Sequence, residues 1–129
     1  MAKKRIATFL GPNKGLSISG DRCYAYSGQI TITSAGESTF FDFTTGDYTS
    51  VINLQYVCST DSSSDQTGKI YLNDSLVYHV LHNESRDQFN DAKFPQIIVL
   101  PPNTKFKFTM IPVGANTNWT ATIAGRIYA

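Results

Sequence analysis

His79 and His82 stand three residues apart in His79-Val80-Leu81-His82, the nearest thing in this chain to a pair of metal ligands. A metal centre needs such groups to converge, whereas three residues along an extended strand point two side chains to opposite faces. The pair therefore reads as one outward histidine and one loop histidine, and no metal is expected. Asp61-Ser62-Ser63-Ser64-Asp65 offers oxygens to a calcium ion but lacks the glycine and closing glutamate of the known loop pattern, so it reads as a solvated loop. Nucleophilic catalysis has only raw ingredients: there is no Gly-x-Ser-x-Gly elbow and no local Cys-His motif. Sugar hydrolysis would need two acids across a cleft, and the glutamates, Glu37 and Glu84, both sit in turn-like contexts. Gly11-Pro12-Asn13-Lys14-Gly15 lacks the Gly-Lys-Ser/Thr ending of a phosphate loop and reads as a turn. The expectation is a protein that is not an enzyme and carries no cofactor.

Binding chemistry is better represented. Lys3-Lys4-Arg5 is a short basic arm, too small for specific nucleic-acid recognition but suited to gripping an acidic neighbour. Tyr24 and Tyr26 share one face of a strand in Arg22-Cys23-Tyr24-Ala25-Tyr26-Ser27-Gly28. Either they face a partner, or they fill the core while Cys23 and Ala25 face out; the spacing does not choose. Tyrosines on a sheet face also suit sugar stacking, which keeps a surface glycan open as a ligand.

The net charge of +1 supplies no broad field to steer nucleic acid or acidic substrates. With 129 residues, 41% apolar and only 16% charged, the chain fits one domain able to bury a core without staples. Two cysteines, Cys23 and Cys58, allow one bridge at most, so the fold should not depend on oxidation. The apolar run Ile6-Ala7-Thr8-Phe9-Leu10 is shorter than a signal core, and no stretch approaches a membrane span. The expectation is a soluble protein made in the cytoplasm, with no membrane partner.

Those residues must be positioned by strands, because period-two alternation dominates and helical spacing is nearly absent. In Lys105-Phe106-Lys107-Phe108-Thr109-Met110 the phenylalanines and Met110 share a dry face. Trp119, Ala121, Ile123, Gly125 and Ile127 alternate with Thr120, Thr122, Ala124, Arg126 and Tyr128 in a long closing strand. Ile30 and Ile32 point inward, as do Phe41 and Phe43 with Asp42 outside, and Ile52, Leu54, Tyr56 and Cys58 align as a buried row. Asn73-Asp74-Ser75 predicts a hairpin between 68–73 and 76–82. Pro95-Gln96-Ile97-Ile98-Val99-Leu100 is an almost continuous apolar strand, stopped by Pro101-Pro102. The segments 59–68 and 82–93 read as loops and candidate contact surfaces. Runs near 5–10, 22–33, 38–44, 50–58, 68–73, 76–82, 95–100, 104–111 and 118–128 predict nine strands, and so many in so small a chain must fold into two layers. The expected fold is all-β, a two-sheet antiparallel sandwich of jelly-roll type filling residues 1–129, with 1–5 as the arm. An immunoglobulin-like sandwich is the alternative, disfavoured because Trp119 follows both cysteines.

Leu16-Ser17-Ile18-Ser19-Gly20-Asp21-Arg22-Cys23-Tyr24-Ala25-Tyr26-Ser27-Gly28, Phe40-Phe41-Asp42-Phe43-Thr44-Thr45-Gly46, Leu100-Pro101-Pro102-Asn103-Thr104-Lys105-Phe106 and the ending Ala124-Gly125-Arg126-Ile127-Tyr128 resemble phrases of small β-sandwich virion proteins of tailed phages, particularly marine ones. The likeness spans most of the chain and rests on strand and turn phrases with no catalytic signature. It implies a jelly-roll structural component of a virion: a capsid decoration or cement protein, or a short head or tail fibre subunit. It also implies a homo-oligomer, a trimer in particular, seated on a major capsid or tail protein. The candidate interface is Lys3, Lys4 and Arg5 of the arm, Tyr24 and Tyr26, and Thr120, Thr122, Arg126 and Tyr128 of the last strand. The competing expectation is a carbohydrate- or receptor-binding module.

Overall fold

The computed structural model describes residues 15–33, 36–58, 66–82, 96–112 and 117–128, and every regular element within them is a strand. The strands are β1 (Ser17–Ser19), β2 (Arg22–Ile32), β3 (Ser38–Thr44), β4 (Thr49–Cys58), β5 (Gln66–Leu72), β6 (Ser75–His82), β7 (Gln96–Leu100), β8 (Lys105–Pro112) and β9 (Thr117–Tyr128). Eight of them match the alternating runs to within two residues. The expected run at 5–10 and the arm at 1–5 lie outside the described residues. Among the described residues the first strand is Ser17–Ser19, three residues that are too few to show any period.

Two antiparallel sheets result, one ordered β1-β2-β9-β4-β7 and the other β3-β8-β5-β6. Their order follows from a single long folded ribbon. β5 and β6 form the hairpin at its tip, and working outward β4 pairs with β7, β3 with β8 and β2 with β9. Rolling the ribbon so that successive pairs fall in opposite layers brings β4 beside β9 and β5 beside β8. This is the jelly-roll winding.

The tip is set by local chemistry. Asn73 and Asp74 both have positive φ, 50° and 67°, as a two-residue turn matching the strand twist requires. The Asn73 backbone N–H donates to the Lys105 carbonyl, the Lys105 N–H donates to Asn73 Oδ1, and Lys105 Nζ lies 3.0 Å from Asp74 Oδ1. The tip is thereby tied to the start of β8. At the same end, buried Thr45 accepts from the Thr104 N–H at 2.8 Å and donates to the Pro101 carbonyl at 2.9 Å, joining the β3–β4 and β7–β8 connections.

The core forms where the inner faces meet. β8 contributes Phe106, Phe108 and Met110, β9 contributes Trp119, Ala121 and Ile123, and β4 contributes Ile52, Leu54 and Tyr56, all buried as their alternation predicts. A run of aromatic rings links the layers: Phe40 stands 5.6 Å from Phe108 within the four-stranded sheet, Phe108 crosses to Tyr56 at 5.1 Å, and Tyr56 stands 6.0 Å from Trp119 within the five-stranded sheet. Two bulges adjust which residues point inward. In β3 the register shifts between Thr39 and Phe41, so Phe40 and Phe41 are both buried beside Phe43. In β2 it shifts between Tyr26 and Gln29, where Gly28 takes φ 68° and the Ser27 hydroxyl accepts the Ala121 N–H at 2.8 Å. Cys23 and Ala25 are therefore inside before the bulge and Ile32 inside after it, which turns Tyr24 and Tyr26 outward. Burial pushes the Cys23 thiol up to about 11, so it stays protonated and inert at neutral pH. The side chain of Cys58 lies outside the described residues.

Candidate functional site

The outer face of the five-stranded sheet gathers the residues singled out on the described strands. Pairing aligns them in rows across the sheet: Tyr24, Ala124, Asn53 and Ile97 form one, and Tyr26, Thr122 and Gln55 the next. On the other side of the first row lie Arg22, Arg126, Val51 and Val99, and Tyr128 ends β9. Tyr26 is 57% exposed and Tyr128 54%, and the Tyr24 and Tyr26 rings lie 5.8 Å apart. Tyr24 and Tyr26 stand together in one part of this patch, while Tyr128 lies with Val51 and Ile97 in another, further along β9 from the Thr122 that pairs with Tyr26.

Charge separates the two outer faces. Among the described strand residues of this face the only charges are Arg22 and Arg126, at one end, with Asp21 4.0 Å from Arg126. The outer face of the four-stranded sheet carries Lys69, Lys105, Lys107 and Asp42, with Glu37 and Asp74 folded onto it. That second face holds most of the described strand charge, although β6 of the same sheet also exposes Leu76 and Val77. The Glu37 carboxylate accepts from Lys69 Nζ at 3.0 Å, the Tyr71 hydroxyl at 2.8 Å and the Thr109 hydroxyl at 3.0 Å. It covers Thr109, which is fully buried although its strand position faces outward.

Burial raises the Glu37 pKa, but the hydrogen bonds from Tyr71, Lys69 and Thr109 outweigh it and hold the carboxyl below its ordinary value. A carboxyl lowered on folding stabilises the fold above its unfolded pKa, and that contribution is lost as pH falls through the folded one. The stability difference between wild type and Glu37→Gln should therefore be largest near neutrality and shrink below about pH 4.5. Urea midpoints of the two proteins across pH 3 to 7, spaced about one unit apart, check this; a constant difference would remove the carboxylate's role.

Among the described residues there is no group of three His, Cys, Asp or Glu able to hold a metal, and His79 is exposed on β6. The hollow over Val51, Ile97, Ala124 and Tyr128 is open and measures about 230 Å³, smaller and flatter than the roughly 300 to 1,000 Å³ clefts that enclose small ligands.

Tyr24, Tyr26, Thr120, Thr122, Arg126 and Tyr128 all fall on this one face. Lys3, Lys4 and Arg5 lie outside the described residues, as do 59–65 and 83–93 of the two candidate contact loops, while 66–68 and His82, expected as loop, belong to β5 and β6 because the hairpin ladder extends to them. Val51, Ile97 and Val99 belong to the patch and are not among the sequence-derived candidates. The available signal was the proline on either side of 96–100, since proline in sheets is confined to edges and ends.

No protein-family model matches the chain, and no curated protein matches it. Among solved structures, the VP2 subviral particle of infectious bursal disease virus aligns with TM-score 0.44 and 14% identity, over 85% of this chain and 35% of that one. The structure of the Gx strain of infectious bursal disease virus aligns with TM-score 0.42 and 16% identity, over 95% of this chain and 38% of that one. The chain thus spans well under half the length of the solved chains it matches.

Proposed function

We propose that this protein is a non-enzymatic structural component of a virion, a capsid decoration or cement protein or a short fibre subunit that assembles as a homo-oligomer. The observation that carries the reading is the unequal pair of outer faces, one charged and one populated by tyrosine, valine, isoleucine and threonine. Interface centres are depleted of charge and enriched in aromatic residues relative to the rest of a surface, so the five-stranded sheet is the side that binds. The resemblance of the strand phrases to phage virion proteins supplies the particle, and a threefold arrangement is the one it implies. Such a subunit acts by buried area, with the basic arm adding grip on an acidic neighbour.

Mass spectrometry of purified particles, together with sedimentation of the isolated protein, tests the reading. The expected result is the chain present in stoichiometric amount and an oligomer in solution; a strict monomer absent from particles overturns it. The neighbouring Tyr24 and Tyr26 rings, the first half-buried and the second exposed, also favour a second reading, a glycan-binding face, because aromatic rings on a sheet suit a sugar plane. A glycan array showing binding that Tyr26→Ala abolishes would select that reading.

A further inference from the structure

Sheet edges are pairing templates, and proteins that stay apart blunt them with short strands, bulges or charge. Among the described strands, three of the four edges are blunted in those ways. β1 is three residues long. β3 carries a bulge at Thr39 to Phe41 and the outward Asp42. β6 is irregular beside its tip, where the register shifts opposite Ile70 and Tyr71 and leaves Val77 unpaired. The fourth edge, β7, has none of these. It pairs with β4 through five consecutive residues without a register shift, and Gln96-Ile97-Ile98-Val99-Leu100 contains no charge. Its outward side chains are also the barest aliphatic ones described, Ile97 at 71% exposure and Val99 at 57%. Among the described strands none lies beyond it in the sheet.

We propose that β7 is a homotypic contact: two copies of this chain join by antiparallel pairing of β7 with β7 about a twofold axis at Ile98. The strand itself argues for a second copy as the occupant. An antiparallel twofold centred on Ile98 sets Ile97 of one copy opposite Val99 of the other, twice, so every outward aliphatic side chain meets an aliphatic partner across the ladder. The same operation sets Gln96 opposite Leu100, using all five residues. Pro101 and Pro102 follow the strand, Pro95 precedes it, and none of the three can donate to a ladder. The pairing is therefore limited in length and pinned in register. It would join the two outer faces into one ten-stranded surface. Five residues a side bury less than the roughly 1,000 Å² of an independently stable interface, so the contact is weak in dilute solution and strengthens where copies are crowded. It does not depend on the particle reading, and it is a twofold contact separate from any threefold ring.

The test uses the full-length chain. Sedimentation equilibrium should show wild type forming even-numbered assemblies with a pairing constant tighter than about 1 mM, and Ile97→Lys/Val99→Lys should weaken pairing at least tenfold. Circular dichroism should report an unchanged fold for that variant, because both side chains are already exposed. Register is read by oxidation: a mixture of Ile97→Cys and Val99→Cys proteins should give a 97–99 disulfide found by peptide mapping, whereas either protein alone should not link through its new cysteine. A wild type that stays monomeric at 1 mM, an oligomer indifferent to both lysines, or efficient 97–97 linkage would overturn the proposal. Absence of the chain from particles with pairing intact would remove the virion reading and leave this one standing.

Discussion

Replacing Phe108 by alanine is expected to remove about 3 to 5 kcal/mol of stability, a large part of the roughly 5 to 15 kcal/mol that holds a domain of this size folded. The ring is fully buried and touches Phe40 in its own sheet and Tyr56 in the opposite one. Its removal therefore opens a void between the layers rather than at an edge. β8 pairs on both sides, with β3 and β5, so its backbone cannot move inward to close the gap. Urea unfolding should show a lower midpoint with an unchanged slope. Thr44→Ala, at an exposed position near the end of β3, should change stability by no more than about 0.5 kcal/mol. If the two substitutions cost the same, Phe108 does not join the sheets.

Gly125→Ala is the second large effect, and its sign is diagnostic. In an unobstructed strand, alanine is favoured over glycine by about 0.5 to 1 kcal/mol. Gly125 lies between Cys23 of β2 and Ile52 of β4, and a Cβ built on it would collide with the Val51 carbonyl oxygen and stand 2.8 Å from Ile52 Cα. The obstacles are backbone atoms and cannot rotate away. β4 and β9 would have to separate in the middle of the five-stranded sheet, at an expected cost of about 3 kcal/mol or more. Thermal unfolding checks it: a raised melting temperature would show that the close approach is absent, and Gly125→Val should be worse than alanine.

Much of the fold was legible because each strand carries its own period. Phe106, Phe108 and Met110 alternate with Lys105, Lys107 and Thr109, and Trp119 to Ile127 alternate with Thr120, Thr122, Ala124 and Arg126, so the face each presents follows from spacing alone. The Asn73-Asp74 tip was equally plain, since a two-residue turn with positive φ selects such side chains. Ser17–Ser19 was not, because three residues show no period. The outer positions of β9 could be named as candidate contacts, yet Ile97 and Val99 could not be separated from Ile98 and Leu100 within one apolar run. Exposure there depends on which neighbour β7 lacks, and no local pattern records that.

The sequence by itself determined an all-strand, two-layer sandwich without a catalytic signature, since alternation and turn residues act over a few positions and need no distant partner. Only the tertiary structure decided which way Tyr24 and Tyr26 point. They share their parity with Ile30 and Ile32, so a regular strand would place all four on one side. The extra residue at Ser27-Gly28, held by the Ala121 N–H from a strand far along the chain, reverses the parity midway. A bulge is stabilised by what the opposite strand donates, so the facing of those rings depends on the pairing of β9 with β2.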